Sequence, residues 1–335
     1  MMLCDLKITI AGPLCSLQDA GRHGYLRYGV PASGPMDRMA LRVVNAALGN
    51  PATQAGIEIS LGGLTFDCLS GQVTFAIAGG SFDIRLAGQT LSPWVVATIR
   101  QGQRLTIRAG AWGSWAMLGF AGHLQGQSWL NSLSTHSQSG LGGGSLTTGQ
   151  TLTIADAEHR PTRESSLDIP TWSRPNQRTR VTIGPQERFF DQSVQDAFLT
   201  QQFHLSQNYD RMGVRLQGPP LPVNAALDMP SEPILRGSIQ VAGDGIATVM
   251  LADHGTTGGY PKLATVIGAD LDAFTQHRSG DALRFQAVTP AQAIHAARDL
   301  NGLQLSYLTD LSKPRKTLHQ RLMQANLISG VTDGT

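Results

Sequence analysis

Apolar and polar positions along this chain mostly form short β-type runs, and one early segment departs from that rhythm. Met36, Met39, Ala40, Val43, Val44, Ala47 and Leu48 recur at three- and four-residue spacing, with Ser33 and Pro35 before them and Gly49 after. That spacing gathers them on one helical face and predicts an amphipathic helix over residues 35–48. Ahead of it, "LKITI" (Leu6 to Ile10) reads as a strand running into Gly12-Pro13. Beyond it, "GIEIS", "LTF", "VTFAI", "FDIRL", "WVVATI" and "RLTIRA" are separated by Gly, Ser, Pro and Gln. The first half is therefore a β-rich body carrying one helix.

Between Ala157 and Arg180 prolines, charges and serines replace the periodic apolar residues, as in a linker. The second half then reopens as the first did. "RVTIGPQ" mirrors "KITIAGP", "QERFFDQSVQDAFL" supplies a helix, and "GVRLQGPPL" echoes "GIEISLGGL". Two copies of one β-rich unit would account for these echoes. We divide the chain into a first domain over 1–160, a linker over 161–180, a second domain over 181–290 and a helical extension over 291–335. Thr289-Pro290 opens that extension, and "RKTLHQRLMQANLI" carries an apolar stripe suited to a solvated helix docked on the body.

Composition narrows the partners. The net charge of +2 is too small for a nucleic-acid footprint, and no run of about 18 apolar residues is present to span a membrane. Cys4, Cys15 and Cys68 form no CxxC pair and are odd in number, which points to structural thiols in a reducing, cytoplasmic setting. Charged residues are only 15% of the chain while glycine numbers 38, so tight turns are many. Lysine occurs four times, at 7, 262, 313 and 316, and Lys262 lies in the glycine-rich "ADHGTTGGYPK".

The usual nucleotide and hydrolase signatures are missing. Gly255 to Lys262 lacks Walker spacing, "GLGGGS" (Gly140 to Ser145) misses GxGxxG, and neither GxSxG nor HExxH occurs. The histidines are dispersed, with no metal-ligand spacing. Three glycine-rich segments dense in polar side chains remain. The first holds Gln18, Asp19, Arg22, Tyr25, Ser33 and Asp37; the second holds Tyr209, Asp210 and Arg211; the third runs from Asp253 to Lys262. Glycines let main-chain N–H groups face an oxyanion, Lys262 supplies a cation, and Asp253 or Asp37 supplies a base, a set suited to chemistry on an amide. The simpler alternative is that Asp19, Asp210 and Asp253 cap turns, that Arg22 pairs locally with Asp19, and that Glu58 is a buried hydrogen-bonded carboxylate.

At these residues the sequence resembles the biotin-dependent carboxyltransferase-like family, which takes in allophanate hydrolase subunit 2, KipA-type proteins and the C component of 5-oxoprolinase. The matching segments are "QDAGRHGYLRYGVPASGPMD", "LGN", "IEIS", "YDRMGVRLQG", "SEPILRGSIQV" and "DHGTTGGYPKLATVIGADL", in order up to about Val288. The resemblance implies a mostly β fold with a few helices, built as two tandem cyclophilin-like β-barrel domains. It implies ATP-dependent opening of 5-oxoproline to glutamate, or alternatively carboxyl transfer from biotin to urea, or a non-catalytic KipA-type role. The implied partners are a KipI-type protein, the B component of 5-oxoprolinase, and a LamB/YcsF-type protein, its A component, with ATP bound here or on a partner. No covalent biotin site occurs in the chain, and no metal is implied. On the reading of the glycine-rich segments given above, the candidate catalytic residues are Lys262, Asp253 and Asp37. Substrate contacts are expected from Arg22, Tyr25, Ser33, Arg211, Gln240, Thr256, Thr257, Gly258, Gly259 and Tyr260. Leu133 and Gly144 stand where the family carries arginine, and Ala242 and Ser279 where it carries proline.

Overall fold

The computed structural model describes residues 2–224 and 229–313. "RKTLHQRLMQANLI" lies outside the described residues.

The predicted strands of the first half form, but several runs fuse. They are β1 (Leu3–Ala11), β2 (Ser16–Gln18), β3 (Gly56–Ser60), β4 (Leu64–Ser70), β5 (Gln72–Leu86) and β6 (Gln89–Leu91). After these come β7 (Val95–Arg100), β8 (Arg104–Phe120), β9 (His123–Leu124), β10 (Thr151–Ala155) and β11 (Ser165–Ser166). "VTFAI" and "FDIRL" are thus one 15-residue strand, and "RLTIRA" continues to Phe120. All eleven join one sheet, in which β5 pairs with β7 on one side and β8 on the other. Its core gathers Leu6, Ile8, Phe66, Phe75, Ile77 and Leu118. Helix α1 (Arg38–Leu48) begins three residues later than the apolar spacing suggested, because Asp37 caps it by accepting from Ala40 N. It buries Val43, Val44 and Leu48 against β5 and β8, as its apolar stripe requires.

The second half closes fully. Strands β12 (Arg178–Ile183), β13 (Phe203–Tyr209), β14 (Gly213–Gln217), β16 (Ser238–Val241), β17 (Ala247–Met250), β19 (Lys262–Val266) and β20 (Ala282–Ala287) form a seven-stranded closed barrel. A separate small ladder pairs β15 (Glu232–Pro233) with β18 (Thr257–Gly258). Helix α2 (Gln192–Thr200) buries Val194 and Phe198, and the Phe198 ring stacks on Phe285 of β20 at 4.5 Å.

Residues 161–180 are less free than a linker. β11 pairs with β7, Leu167 is buried beside Trp94 and α1, and Arg178 already belongs to the barrel. The two halves share apolar contact as well, since Met36 and Trp115 pack into the barrel core. Short α3 (Leu271–Phe274) and long α4 (Pro290–Ser312) complete the fold. Thr289 and Gln292 form a capping box at the start of α4, which rests on α1 through Leu308 and Leu311. No described helix is long and apolar enough to cross a membrane.

Candidate functional site

Two halves meet around one cation. Arg211, between β13 and β14, sends Nη1 to Glu58 of β3 and grips Asp253 in bidentate fashion, with Nε to Oδ2 at 2.9 Å and Nη2 to Oδ1 at 3.0 Å. Nη2 also donates to Gly34 O at 2.7 Å. All three side chains are essentially sealed from solvent. Burial alone would depress the guanidinium, but the charges of Glu58 and Asp253 more than offset it and hold Arg211 firmly protonated. One cation serves two carboxylates unequally. Burial raises Asp253, yet Arg211's charge and hydrogen bonds, with help from Ser137 N, leave it below the usual range. Glu58 stays above its usual range, because burial outweighs Arg211 and Met36 N. Removing one member of such a network strands a buried charge.

A second polar knot holds a loop of the first half against this network. Asp19 accepts from Ser132 Oγ at 2.7 Å, Ser134 Oγ at 2.6 Å and Leu133 N at 2.7 Å. Arg22 does not pair with Asp19. It donates to Ser33 Oγ at 3.2 Å and to Ser134 O, and its guanidinium lies 4.7 Å from the Trp129 ring centroid. Beyond Ser134 the chain passes through His136, and Ser137 N donates to Asp253 at 3.0 Å. The loop then returns under Ser134, at a place where only glycine fits. Gly142 has φ +105°, and a Cβ there would run into the Ser134 carbonyl.

Three glycine-rich segments are thus brought together, although not with the roles expected of each. Asp253 is an ion-paired anchor with no exposed side-chain surface, and so cannot touch a substrate in this arrangement. Asp210 caps its own turn through Met212 N and Gly213 N. Lys262 does not join Asp253. Its ammonium lies 3.3 Å from both Glu232 Oε2 and Pro233 O, at the other end of the loop, and Gln186 Nε2 donates to the same Glu232 oxygen at 2.7 Å. The pairing Gln240↔Lys262 explains the divergence, since Lys262 is already in barrel strand β19 while Asp253 faces the other half.

Between those ends, Thr257–Gly258 pairs with Glu232–Pro233, and Gln240 donates to Tyr260 O at 3.1 Å. Thr256, Gly258 and Gly259 are half-buried, whereas Thr257 and Tyr260 are exposed. Tyr25 is half-buried and Ser33 is buried as a partner of Arg22. We expect Lys262→Met and Glu232→Gln to lower turnover alike, each by at most about fivefold, because an ion pair between buried Lys262 and the partly exposed Glu232 carboxylate orients the loop. A steady-state assay in which Glu232→Gln matched wild type while Lys262→Met was inactive would instead make Lys262 the charge stabiliser.

Asp37 is a cap at the seam between the halves. Its oxygens accept from Ala40 N at 2.9 Å and from Gln276 Nε2 at 2.8 Å. Burial, followed by the charge of Asp272, raises its pKa from the ordinary 3.8 to about 7, against the pull of Gln276, Ala40 N and Arg236. A raised folded-state pKa means that the native protein binds this proton more tightly, so stability falls as pH rises from the ordinary carboxylate range to about 7. Thermal melting of Asp37→Asn is expected to show a flatter decline between those pH values than wild type. An unchanged slope would remove Asp37 as its cause.

The residue that sequence reasoning passed over is His136. Half-buried in the loop pinned by Ser137 N, it has Nδ1 2.8 Å from Ser139 Oγ. Burial lowers its pKa, Arg22 and Arg211 lower it further, and Asp253 opposes them, so the ring is neutral near pH 7. A lone histidine in "NSLSTHSQSG" carries no spacing signal. The alternating Ser132 and Ser134 that hold this loop offered one.

Residues 28–287 match the family described as carboxyltransferase domain, subdomain A and B. The chain is 32% identical over 297 residues to the C component of 5-oxoprolinase from Escherichia coli, covering 88% of this chain and 94% of that protein. It is 29% identical over 343 residues to urea amidolyase of Saccharomyces cerevisiae, covering 92% of this chain and 18% of that longer protein. Among solved structures, the urea carboxylase of Kluyveromyces lactis aligns with a TM-score of 0.79 and 24% identity, over 95% of this chain and 30% of that one. At that identity the likeness speaks to the fold alone.

Proposed function

Because the chain belongs to the family of carboxyltransferase domains with subdomains A and B, and resembles one component of a multi-component enzyme, we propose that it activates the lactam of 5-oxoproline for ATP-dependent opening to L-glutamate. In this reading the buried ions are scaffold and the chemistry lies at the surface seam they hold together. His136 takes the lactam N–H proton while the carbonyl oxygen attacks the γ-phosphorus of ATP and ADP departs. Gly140, Leu141 and Gly143 spend their N–H groups inside their own loop, so the main-chain N–H groups of Gly142, Gly144 and the 255–260 loop are the ones that steady the negative charge on that oxygen. One water then adds to the activated carbon and the C–N bond breaks, the proton held by His136 going to the departing nitrogen and leaving γ-glutamyl phosphate; a second water hydrolyses that acyl phosphate to glutamate and phosphate.

The observation that carries the reading is the hydrogen bond from Ser137 N to Asp253. It fixes the His136 loop of the first half against the start of the 253–262 loop of the second. Proteins of the KipI type and of the LamB/YcsF type are the partners this reading requires. The test is 5-oxoproline-dependent glutamate formation with ATP and those partner proteins supplied; no glutamate from the intact complex would end it.

The likeness to urea amidolyase favours a second reading, carboxyl transfer to an amide acceptor such as urea. The same seam would then deprotonate the urea N–H. Carboxylation of urea in the presence of a separate carboxybiotin carrier, with no glutamate from 5-oxoproline, would select it. A purely regulatory KipA-type role predicts that substitutions at the seam leave partner binding and its effects unchanged.

A further inference from the structure

A cavity of about 560 Å³ lies away from the loop seam, between residues 171–180, the segment around α3 and Leu300 of α4. Its walls carry Trp172, Arg174, Asn176, Gln177, Arg178 and Arg180, with Asp270 as the acid among its lining residues. Asp270 is fully engaged by Arg180. Its oxygens accept from Arg180 N at 2.8 Å, Nη2 at 2.6 Å and Nε at 3.1 and 3.2 Å.

Arg174 and Arg178 are left without a carboxylate. Arg174 lies 5.6 Å from the Trp112 ring centroid, and the Arg178 guanidinium has no hydrogen-bond or ion partner among the described residues. Arg178 also sits opposite Arg284 in the parallel β12–β20 ladder, so two like charges face each other across neighbouring strands. Such a pair costs stability unless an anion bridges it or nearby solvent screens it.

The rest of the wall suits the other end of a ligand. Trp172 is held edge-on by Tyr307 of α4 at 5.8 Å, and Tyr307 OH donates to Asp168 O at 2.6 Å. The ring is therefore fixed by two elements. Beside it, Asn176 spends its oxygen on Arg178 N and keeps its NH2 donors. Guanidinium groups bind phosphate oxygens in planar, paired fashion, an indole face stacks on a purine or pyrimidine, and side-chain amides read the edge of such a ring. The volume is in the range of sites for ligands of that size.

We propose that this groove binds a nucleoside polyphosphate, with its phosphates on Arg178 and Arg174 and its base on Trp172. The groove lies away from the His136 seam and shares no residue with it, so the nucleotide held here is a second one, distinct from the ATP consumed in the proposed reaction, and failure of this site is separable from failure of that reading. Isothermal titration of the full chain at low salt is expected to show saturable binding of ATP, much weaker binding of sodium pyrophosphate, and none of adenosine.

Arg178→Glu should weaken ATP binding roughly thirtyfold and Trp172→Leu about tenfold, while Arg85→Glu on the first-half sheet leaves it unchanged. Arg178→Glu places a carboxylate opposite Arg284, so its melting temperature should not fall. No ATP binding by the wild-type chain, or equal binding by Arg178→Glu, overturns the site. Pyrophosphate binding as tight as ATP, together with a neutral Trp172→Leu, overturns the nucleotide assignment and leaves an inorganic-anion groove.

Discussion

Replacing Arg211 with alanine is expected to lower the melting temperature of the chain by about 5 °C. Breaking a buried, hydrogen-bonded ion network by removing one partner costs roughly 3–5 kcal/mol, and at an unfolding entropy of roughly 2.1 cal/mol/K per residue each kcal/mol is worth about 1.4 °C in a chain of 335 residues. The cause is specific. Glu58 and Asp253 would face each other without a cation, and Gly34 O would lose its donor. The same network ties β3 and residue 34 of the first half to the β13–β14 turn and residue 253 of the second, so the loss should loosen the junction between halves. A triple variant, Arg211→Met with Glu58→Gln and Asp253→Asn, should recover a good part of the loss, since no buried charge remains. Differential scanning calorimetry of the two proteins checks both statements. An Arg211→Ala protein melting within about 2 °C of wild type would show the network to be energetically idle.

Much of the fold was legible because it is local. The 3.6-residue spacing of α1 and the short β runs are set by burial of one face, and both survive in the structure. The fusion of "VTFAI" with "FDIRL" was not legible, because Gly79-Gly80 reads as a turn. In the sheet those glycines lie where β5 and β8 approach closely. A Cβ on Gly113 of β8 would meet the Gly80 backbone, and the ladder shifts register there. Glycine in a strand can mark such an approach as readily as a chain reversal.

The site was legible as a set of segments and not as a set of roles. The three glycine-rich stretches do converge, and Arg22, Ser33, Arg211 and Asp253 lie on or beside one connected polar network. Chemical density in the 253–262 loop was read as reactivity, whereas much of it is anchorage. Asp253 and Arg211 are 42 positions apart in sequence, and no local pattern announces that they will be ion-paired. The scarcity of lysine made Lys262 stand out, yet its partner, Glu232, comes from the separate β15–β18 ladder. His136 escaped because its importance comes from neighbours distant in sequence. Burial first, then the charges of Asp253, Arg22 and Arg211, set its charge state, and none of those three residues shares its loop.

That placement yields the second large effect. His136→Gln keeps a polar group within reach of Ser139 and cannot accept the lactam proton. It sits on a half-buried surface loop, outside the buried ion network, so folding should be spared. General-base catalysis contributes typically 10²–10⁴-fold, so kcat should fall by at least about a hundredfold while KM for 5-oxoproline changes little. In the wild type the rate should rise with pH as the imidazolium loses its proton, with a midpoint below the ordinary 6.5, because burial and the two arginines disfavour the charged ring.

The measurement that bears most directly on the whole account is kcat for 5-oxoproline-dependent glutamate formation by the reconstituted complex, wild type against His136→Gln, at matched melting temperature. A drop of about a hundredfold or more, with loss of the acidic limb of the pH profile, is what the loop seam requires. Turnover within twofold of wild type, or an unchanged profile, would place the chemistry elsewhere.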